Sequence, residues 1–154
     1  MKVLEEYLNY IEKNKKLSKN TVASYNRDLK KYVEYLNERN INLSDVVEND
    51  IISYLIELEK EDISVASISR MISSIKSYHD YLFFNKILDT DPSKNIKKPK
   101  VKRVDVEILT EDEVDKLLKF EDLSTPKRIR DKAIFEILYG TGIKVTELID
   151  MNLE

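Results

Sequence analysis

The sequence predicts an all-α protein, and three observations carry that prediction. Only two Gly and three Pro occur in 154 residues, which leaves few of the turn signals that connect β-strands. The helix-favouring residues Leu, Ile, Lys and Glu recur throughout the chain. Apolar residues return at spacings of three and four, as a helix with one buried face requires. With 42% apolar residues, such helices have enough material for a hydrophobic core.

The first two helices are predicted from an apolar stripe and a cap. The first covers residues 3–13, and the second follows Ser18, a good N-cap, and ends near Asn40. The inward positions predicted for these two helices are Val3, Leu4, Tyr7, Leu8, Ile11, Val22, Tyr25, Leu29, Tyr32, Val33 and Leu36.

Two further helices complete a predicted bundle over residues 1–88. The third is expected to start around Asn49 as its cap, and the fourth follows Ser64 and runs to about Asn85. Four helices with short connections favour a compact bundle. The inward positions predicted here are Ile51, Ile52, Leu55 and Leu58 in the third helix, and Ile68, Met71, Ile72, Ile75, Tyr78 and Leu82 in the fourth.

Residues 89–106 are predicted to form a basic linker between domains. Asp91-Pro92 and Lys98-Pro99 disfavour helix, because the residue before a proline is pushed towards extended geometry. Between Pro92 and Val104 there is no acidic residue. Such a run could simply keep an extended segment solvated, or it could lie along DNA phosphates and release counterions. The cations of this run are Lys94, Lys97, Lys98, Lys100, Lys102 and Arg103.

A second domain is predicted over residues 107–154. Thr110 and Glu113 have the spacing of a capping box, which marks a new helix. Pro126 suits the first turn of the next helix, which is expected to stop at Gly140. A last short helix is predicted from about Val145.

Composition excludes several kinds of site. The chain has no Cys, so a disulfide framework and a thiolate metal site are excluded, and a single His makes zinc chemistry unexpected. No metal site is therefore predicted, and His79 is interpreted as an ordinary packed or surface residue. No signal peptide and no apolar run of about 18 residues is found, so the expectation is a cytoplasmic protein without a membrane partner.

The net charge of −3 conceals two unlike parts. Residues 1–103 contain 19 Lys and Arg against 16 Asp and Glu, which gives +3, whereas residues 104–154 carry −6. An anionic partner would therefore be expected to meet the first part of the chain.

The polar faces of the second and fourth helices are candidates for contact with DNA. The fourth helix is rich in Ser around one Arg and one Lys, although Glu and Lys favour helix more than Ser does. Short hydroxyls beside a cation let a helix approach a polyanion closely. The alternative is an ordinary solvated face. The candidates are Lys19, Asn20, Thr21, Ser24 and Arg27 in the second helix and Ser69, Arg70, Ser73, Lys76 and Ser77 in the fourth.

Four segments, in this order and spacing, resemble the tyrosine recombinase (phage integrase) family, and most closely its Xer-type members. They are LSKNTVASYNRDLKKYVEYL, ISVASISRMISSIKSYHDYL, the hinge-like DPSKNIKKPK, and ILTEDEVDKLL with RDKAIFEILYGTGIKVTEL. The resemblance implies a SAM-like, helical core-binding domain that grips duplex DNA, followed by the first helices of a truncated catalytic domain.

The resemblance also implies which chemistry to expect. In this family an Arg of the motif TG-x-R-x-x-E-L contacts the scissile phosphate, and here Lys144 occupies that position while Glu147 matches the motif. Lys keeps the charge but loses the bidentate fork of Arg, so Lys144 is expected to be inert. No Tyr follows Tyr139, so these residues offer no nucleophile for a phosphotyrosine link.

The expected function is therefore duplex DNA binding without cleavage, as part of a recombinase that needs no cofactor. One alternative is a catalytically inert relative that regulates assembly by binding other recombinase subunits. A third possibility is a helical bundle without a partner.

Overall fold

The computed structural model describes residues 2–61, 63–100, 106–119 and 122–152 and confirms the all-α class, since these ranges contain helices and no β-strand. The chain divides into two compact units, residues 1–103 and 104–154. None of the helices in these ranges has the length and apolar character needed to cross a membrane. The helices are α1 (Lys2–Lys13), α2 (Lys19–Glu38), α3 (Glu48–Lys60), α4 (Val65–Phe84), α5 (Glu111–Leu118), α6 (Pro126–Thr141) and α7 (Val145–Ile149), with a short 3-10 helix (Leu43–Asp45) before α3.

The first unit is a bundle of α1 to α4 around one core. Helix α2 packs against both α1 and α4, and α3 packs on α4. The predicted inward face of α4 is confirmed, since all six of its positions are buried. This burial is the main source of stability for helices of this length. The most deeply buried apolar side chains are Tyr7, Ile11, Leu29, Tyr32, Leu36, Ile51, Ile75, Tyr78 and Leu82.

Tyrosine rings fill much of this core. Tyr7 lies 5.1 Å from Tyr78 between ring centroids, and Tyr54 lies 5.3 Å from Tyr32 and 4.8 Å from Tyr35. Tilted ring pairs at these distances are favourable beyond their buried area. Aromatic contacts therefore join α1 to α4 and α2 to α3.

The predicted helix caps at Ser18, Ser64 and Thr110 are confirmed. The Oγ of Ser18 and that of Ser64 each accept a hydrogen bond at 3.2 Å from the backbone N–H three residues later. At α5 the Thr110 N–H donates to Glu113 Oε2 at 2.8 Å, which completes the capping box. These bonds satisfy N–H groups that the helix itself leaves unpaired.

The predictions for α3 were wrong in two details. The helix begins at Glu48 rather than after Asn49, because the Asp50 carboxylate accepts the Val47 N–H at 2.9 Å and fixes the first turn two residues earlier. Ile52 is 39% exposed, whereas Tyr54 is buried in its place. Because α3 is apolar on more than one side, its periodicity does not define a single inward face.

Residues 88–96, here called the strap, are packed against the bundle. Leu88 and Ile96 are buried, and Ser93 is fully buried. Both the N–H and the hydroxyl of Ser93 donate to Asp91 Oδ1, at 2.8 and 2.7 Å. Such an Asp-centred turn gives the chain a compact path through the Asp91-Pro92 step.

The second unit contains α5, α6 and α7 and little core. In its described part only Val114 is a buried apolar side chain. Helix α6 starts with Pro126, as predicted, but continues past Gly140 to Thr141, because Gly142, with φ of +66°, supplies the left-handed C-cap. The exposed apolar side chains of this unit include Ile108, Leu117, Ile129, Tyr139, Val145 and Ile149.

Candidate nucleic-acid interface

The two predicted polar sets lie on neighbouring helices. Helices α2 and α4 pack directly on each other, and their core residues face inward. The α2 candidates Lys19, Asn20 and Arg27 are exposed, and those on α4 are all partly exposed. Arg70 of the α4 set forms an ion pair with Asp28 of α2, a residue outside the predicted α2 set.

The Arg70 ion pair crosses the groove between α2 and α4. Its Nη1 donates to Asp28 Oδ2 at 2.5 Å. The Asp28 side chain is only 3% exposed, whereas that of Arg70 is 39% exposed. Burial raises the pKa of Asp28, and the hydrogen bond and charge of Arg70 oppose that rise. The guanidinium is thus anchored at one corner and open to solvent elsewhere.

Two hydrogen bonds among the other polar candidates join residues within one turn of helix. Arg27 Nη2 lies 3.4 Å from Ser24 Oγ, a weak contact that leaves the guanidinium exposed. The Ser73 hydroxyl donates to the Ser69 carbonyl at 2.9 Å, one turn earlier. A hydroxyl that donates to its own helix can still accept a hydrogen bond, but its donor is already in use.

The N-termini of α2 and α4 add a favourable field. Neither helix has an acidic residue in its first turn, whereas α3 and α5 have two and three. The positive end of each helix dipole is therefore not neutralised by a carboxylate. Backbone N–H groups at such helix ends suit anions such as phosphate.

Lys76 has a structural partner that the sequence did not indicate. Its Nζ donates to the carbonyl oxygens of Lys94 and Ile96, at 2.9 and 3.0 Å. A second contact joins Asn95 Nδ2 to Glu48 Oε2 at 3.0 Å. Direct contact of Lys76 with DNA stays a prediction, but two of its three donors already hold the strap on the bundle.

Substituting Lys76 with Met should loosen the strap. The apolar stem is kept and both charged hydrogen bonds are lost, so we expect the free energy of unfolding to fall by about 1–3 kcal/mol. Faster hydrogen exchange is expected at the Ile96 amide, which donates to the Ser93 carbonyl at 3.1 Å. Lys94→Met is the matched control, since Lys94 offers only its backbone carbonyl to Lys76. Equal stability and exchange in the two variants would contradict the assignment.

The basic residues after the strap are exposed where the structure describes them. Lys97, Lys98 and Lys100 all point to solvent. Lys102 and Arg103, the other two predicted contacts, lie outside the described residues. The strap ends directly before Lys97, so the lysine run starts from a fixed point on the first unit.

Lys144 and Glu147 form the start of α7. The Lys144 side chain is exposed, and its backbone N–H donates to Glu147 Oε2 at 2.8 Å. Glu147 thereby closes the first turn of the helix, which is a structural role, as expected. Within the second unit, Lys144 stands directly after Gly142 and Ile143, at the end of the left-handed turn.

Two buried polar residues of the bundle have distant partners that the sequence reasoning did not identify, namely Asp28 and His79. Both are buried, and each pairs with a residue more than forty positions away, Asp28 with Arg70 and His79 with Tyr32. A signal was present for Asp28, because it lies three residues after Tyr25 and four before Tyr32, which are both among the inward positions predicted for α2. No local pattern marks His79 as the partner of Tyr32.

Two family models match the chain in succession. The model of the phage integrase N-terminal SAM-like domain matches residues 4–86, and that of the phage integrase family matches residues 107–154. The two matches together span most of the chain and leave residues 87–106 between them.

Similar full proteins are found among bacterial recombinases. A protein of Caldanaerobacter subterraneus subsp. tengcongensis, whose name assigns it provisionally to the tyrosine recombinases, is 42% identical over 99% of this chain and 52% of its own length. Proteins named tyrosine recombinase XerD from Oceanobacillus iheyensis and Staphylococcus epidermidis are each 38% identical, over 97% and 99% of this chain and 51% and 52% of their own. The chain spans about half the length of these relatives. It belongs to the phage integrase family, the family of the tyrosine recombinases.

Proposed function

We propose that this chain binds duplex DNA as the N-terminal part of a site-specific tyrosine recombinase. The observation that carries the proposal is the adjacent pair α2 and α4, whose outer faces combine cations with small hydroxyl side chains. Arg70 lies between them with its guanidinium anchored on one side and open on the other. An Arg held in this way suits a phosphate or the edge of a guanine.

Three sources of positive potential would act together in this binding. The first is the set of cations on α2 and α4. The second is the N-terminus of each of these helices, which has no acidic residue in its first turn. The third is the run of exposed lysines that follows the strap. Contacts of this kind position a protein on the DNA backbone and make its affinity depend on salt. The division into a bundle of residues 1–88, a linker of residues 89–106 and a catalytic-domain part of residues 107–154 remains part of the proposal.

Strand cleavage is not assigned to these residues. At the position where the family motif TG-x-R-x-x-E-L has an Arg, Lys144 offers a single ammonium, which cannot hold two phosphoryl oxygens in the planar fork of a guanidinium. The proposed activity is therefore binding, and the parent reaction is strand exchange through a phosphotyrosine intermediate.

Substituting Arg70 with Ala should weaken duplex binding by roughly tenfold to a hundredfold, the loss expected for a specific Arg contact. Fluorescence anisotropy with a labelled duplex measures the change, and circular dichroism checks that the helices persist. Arg39→Ala is the matched control, because Arg39 also pairs with a carboxylate, Glu57, at 2.6 Å but lies between α2 and α3. We expect Arg39→Ala to bind DNA as well as the unmodified chain.

Equal affinities of the Arg70→Ala and Arg39→Ala variants would remove Arg70 from the interface. If the unmodified chain itself showed no salt-dependent binding to any duplex, the proposed function would be wrong as a whole. These two results are distinguishable, since the first requires measurable binding.

One observation favours a second function, namely binding to another protein. The second unit exposes several large apolar side chains, among them Ile108 at 89% and Ile149 at 74%. A unit with this many large exposed apolar side chains is typical of a surface that another polypeptide covers. Sedimentation with and without duplex DNA separates the functions: self-association without DNA favours protein binding, and a complex that requires DNA favours the first proposal.

A further inference from the structure

We propose that Asp28 is a positioning residue, which holds the Arg70 guanidinium in the orientation that contacts DNA. This inference rests on the proposed function. Asp28 itself would touch no DNA, since its side chain is buried. It would act through Arg70, across the groove between α2 and α4.

The Asp28 carboxylate holds the Arg70 guanidinium at Nη1, while the Arg70 side chain as a whole stays 39% exposed to solvent. A hydrogen bond of 2.5 Å to a buried carboxylate fixes Nη1 at the bottom of the groove. Asp28 is in turn fixed by its helix, between Arg27 on the outer face and Leu29 in the core. A free Arg side chain loses considerable conformational entropy when it binds a phosphate. An anchored one has lost most of that freedom before DNA arrives.

Stability alone does not account for the pair. The cost of removing both charges from water offsets much of their attraction, so a partly buried ion pair adds little net stability. Its effect on geometry is definite, because the short contact joins two helices that both carry candidate DNA contacts. The pair therefore sets the direction of the Arg70 guanidinium.

Asp28 offers a test in which charge and position predict opposite results. Asp28→Asn removes one negative charge near the proposed interface, so long-range electrostatics alone would increase affinity for DNA. Loss of positioning would decrease it. Glu34→Gln is the matched control, because Glu34 is an exposed acid on the same helix and its substitution changes the net charge equally.

We expect Asp28→Asn to bind a labelled duplex about tenfold more weakly than Glu34→Gln at the same salt concentration, near the lower limit for losing an Arg contact. In an Arg70→Ala background, Asp28→Asn should cause no further loss of affinity, because the guanidinium that Asp28 positions is absent. The inference would be overturned if Asp28→Asn bound the duplex as tightly as Glu34→Gln or more tightly. It would also be overturned if Asp28→Asn lost as much affinity in the Arg70→Ala background as in the unmodified chain.

A measurement on the unmodified chain covers the case in which Asp28→Asn does not fold. NMR relaxation of the Arg side-chain N–H groups in the absence of DNA should show Arg70 to be more ordered than the exposed Arg27. Equal mobility of the two guanidinium groups would overturn the inference. A chain that fails to bind DNA at all would instead contradict the proposed function, so the two failures remain separate.

Discussion

A triple variant with Ala at Lys97, Lys98 and Lys100 should have a lower affinity for duplex DNA, and its affinity should depend less steeply on salt. The three side chains are exposed directly after the strap, so each is free to lie against a phosphate. A lysine that neutralises a phosphate contributes about one to the slope of log affinity against log salt. The slope should therefore fall by up to about three, which is the largest change in binding expected for any substitution proposed here.

The measurement is a salt series of anisotropy titrations with one labelled duplex. A matched control replaces three other exposed lysines, Lys2, Lys30 and Lys60, which lie on α1, α2 and α3. It changes the net charge equally and should alter the slope much less, because these positions lie outside the proposed contacts. Identical slopes for the two triple variants would show that the linker lysines act only through net charge.

Acid should destabilise the bundle through His79, with a predicted loss of roughly 3 kcal/mol. The imidazole is fully buried, and its Nε2 lies 3.0 Å from the Tyr32 hydroxyl oxygen. Burial lowers the pKa of His79 to about 4 from its usual 6.5, and the charge of Asp91 opposes this only in part. No hydrogen-bond partner for Nδ1 is found in the described part of the chain, so a proton there would be buried without an acceptor.

The sign follows from the lowered pKa. Between pH 6.5 and about 4 the unfolded chain binds a proton at His79 that the folded chain does not. The contribution of the neutral His79 to the free energy of unfolding is therefore fully present above about pH 6.5 and is lost as the pH decreases through this window. His79→Gln, which does not titrate, should lose less stability over the same range.

Denaturant unfolding of both proteins across this pH window measures the difference. His79 is the only His in the sequence, so NMR titration of its ring protons reports this pKa without overlap. Parallel stability curves for the unmodified chain and His79→Gln, or an imidazole that titrates near 6.5 in the folded state, would contradict the prediction.

Much of the fold followed from local chemistry. The caps at Ser18, Ser64 and Thr110 were predictable because each bond joins residues three apart, within one turn of helix. The core face of α4 was predictable because its apolar residues form a single stripe. Where the apolar pattern had no single direction, as in α3, the prediction for Ile52 was wrong.

The candidate interface was only partly predictable from the sequence. Composition indicated the Ser-rich face of α4 and the cations around it, but not which charges are already paired. Lys76 and Arg70 look alike as isolated cations on one helix. The structure separates them, because Lys76 donates to two strap carbonyls and Arg70 to one buried carboxylate.

The sequence by itself determined the helices, the caps at Ser18, Ser64 and Thr110, the basic run and the family. These depend on neighbours within one turn or on motifs that keep their order along the chain. Only the tertiary structure decided the partner of Arg70, the burial of His79 and the packing of the strap. Each of these joins residues that are well separated along the chain, by as few as 18 positions for Lys76 and Lys94 and as many as 47 for Tyr32 and His79. The physical reason is that a polar side chain has the same local pattern whether it meets water or a distant partner, and only the packing of the helices selects between the two.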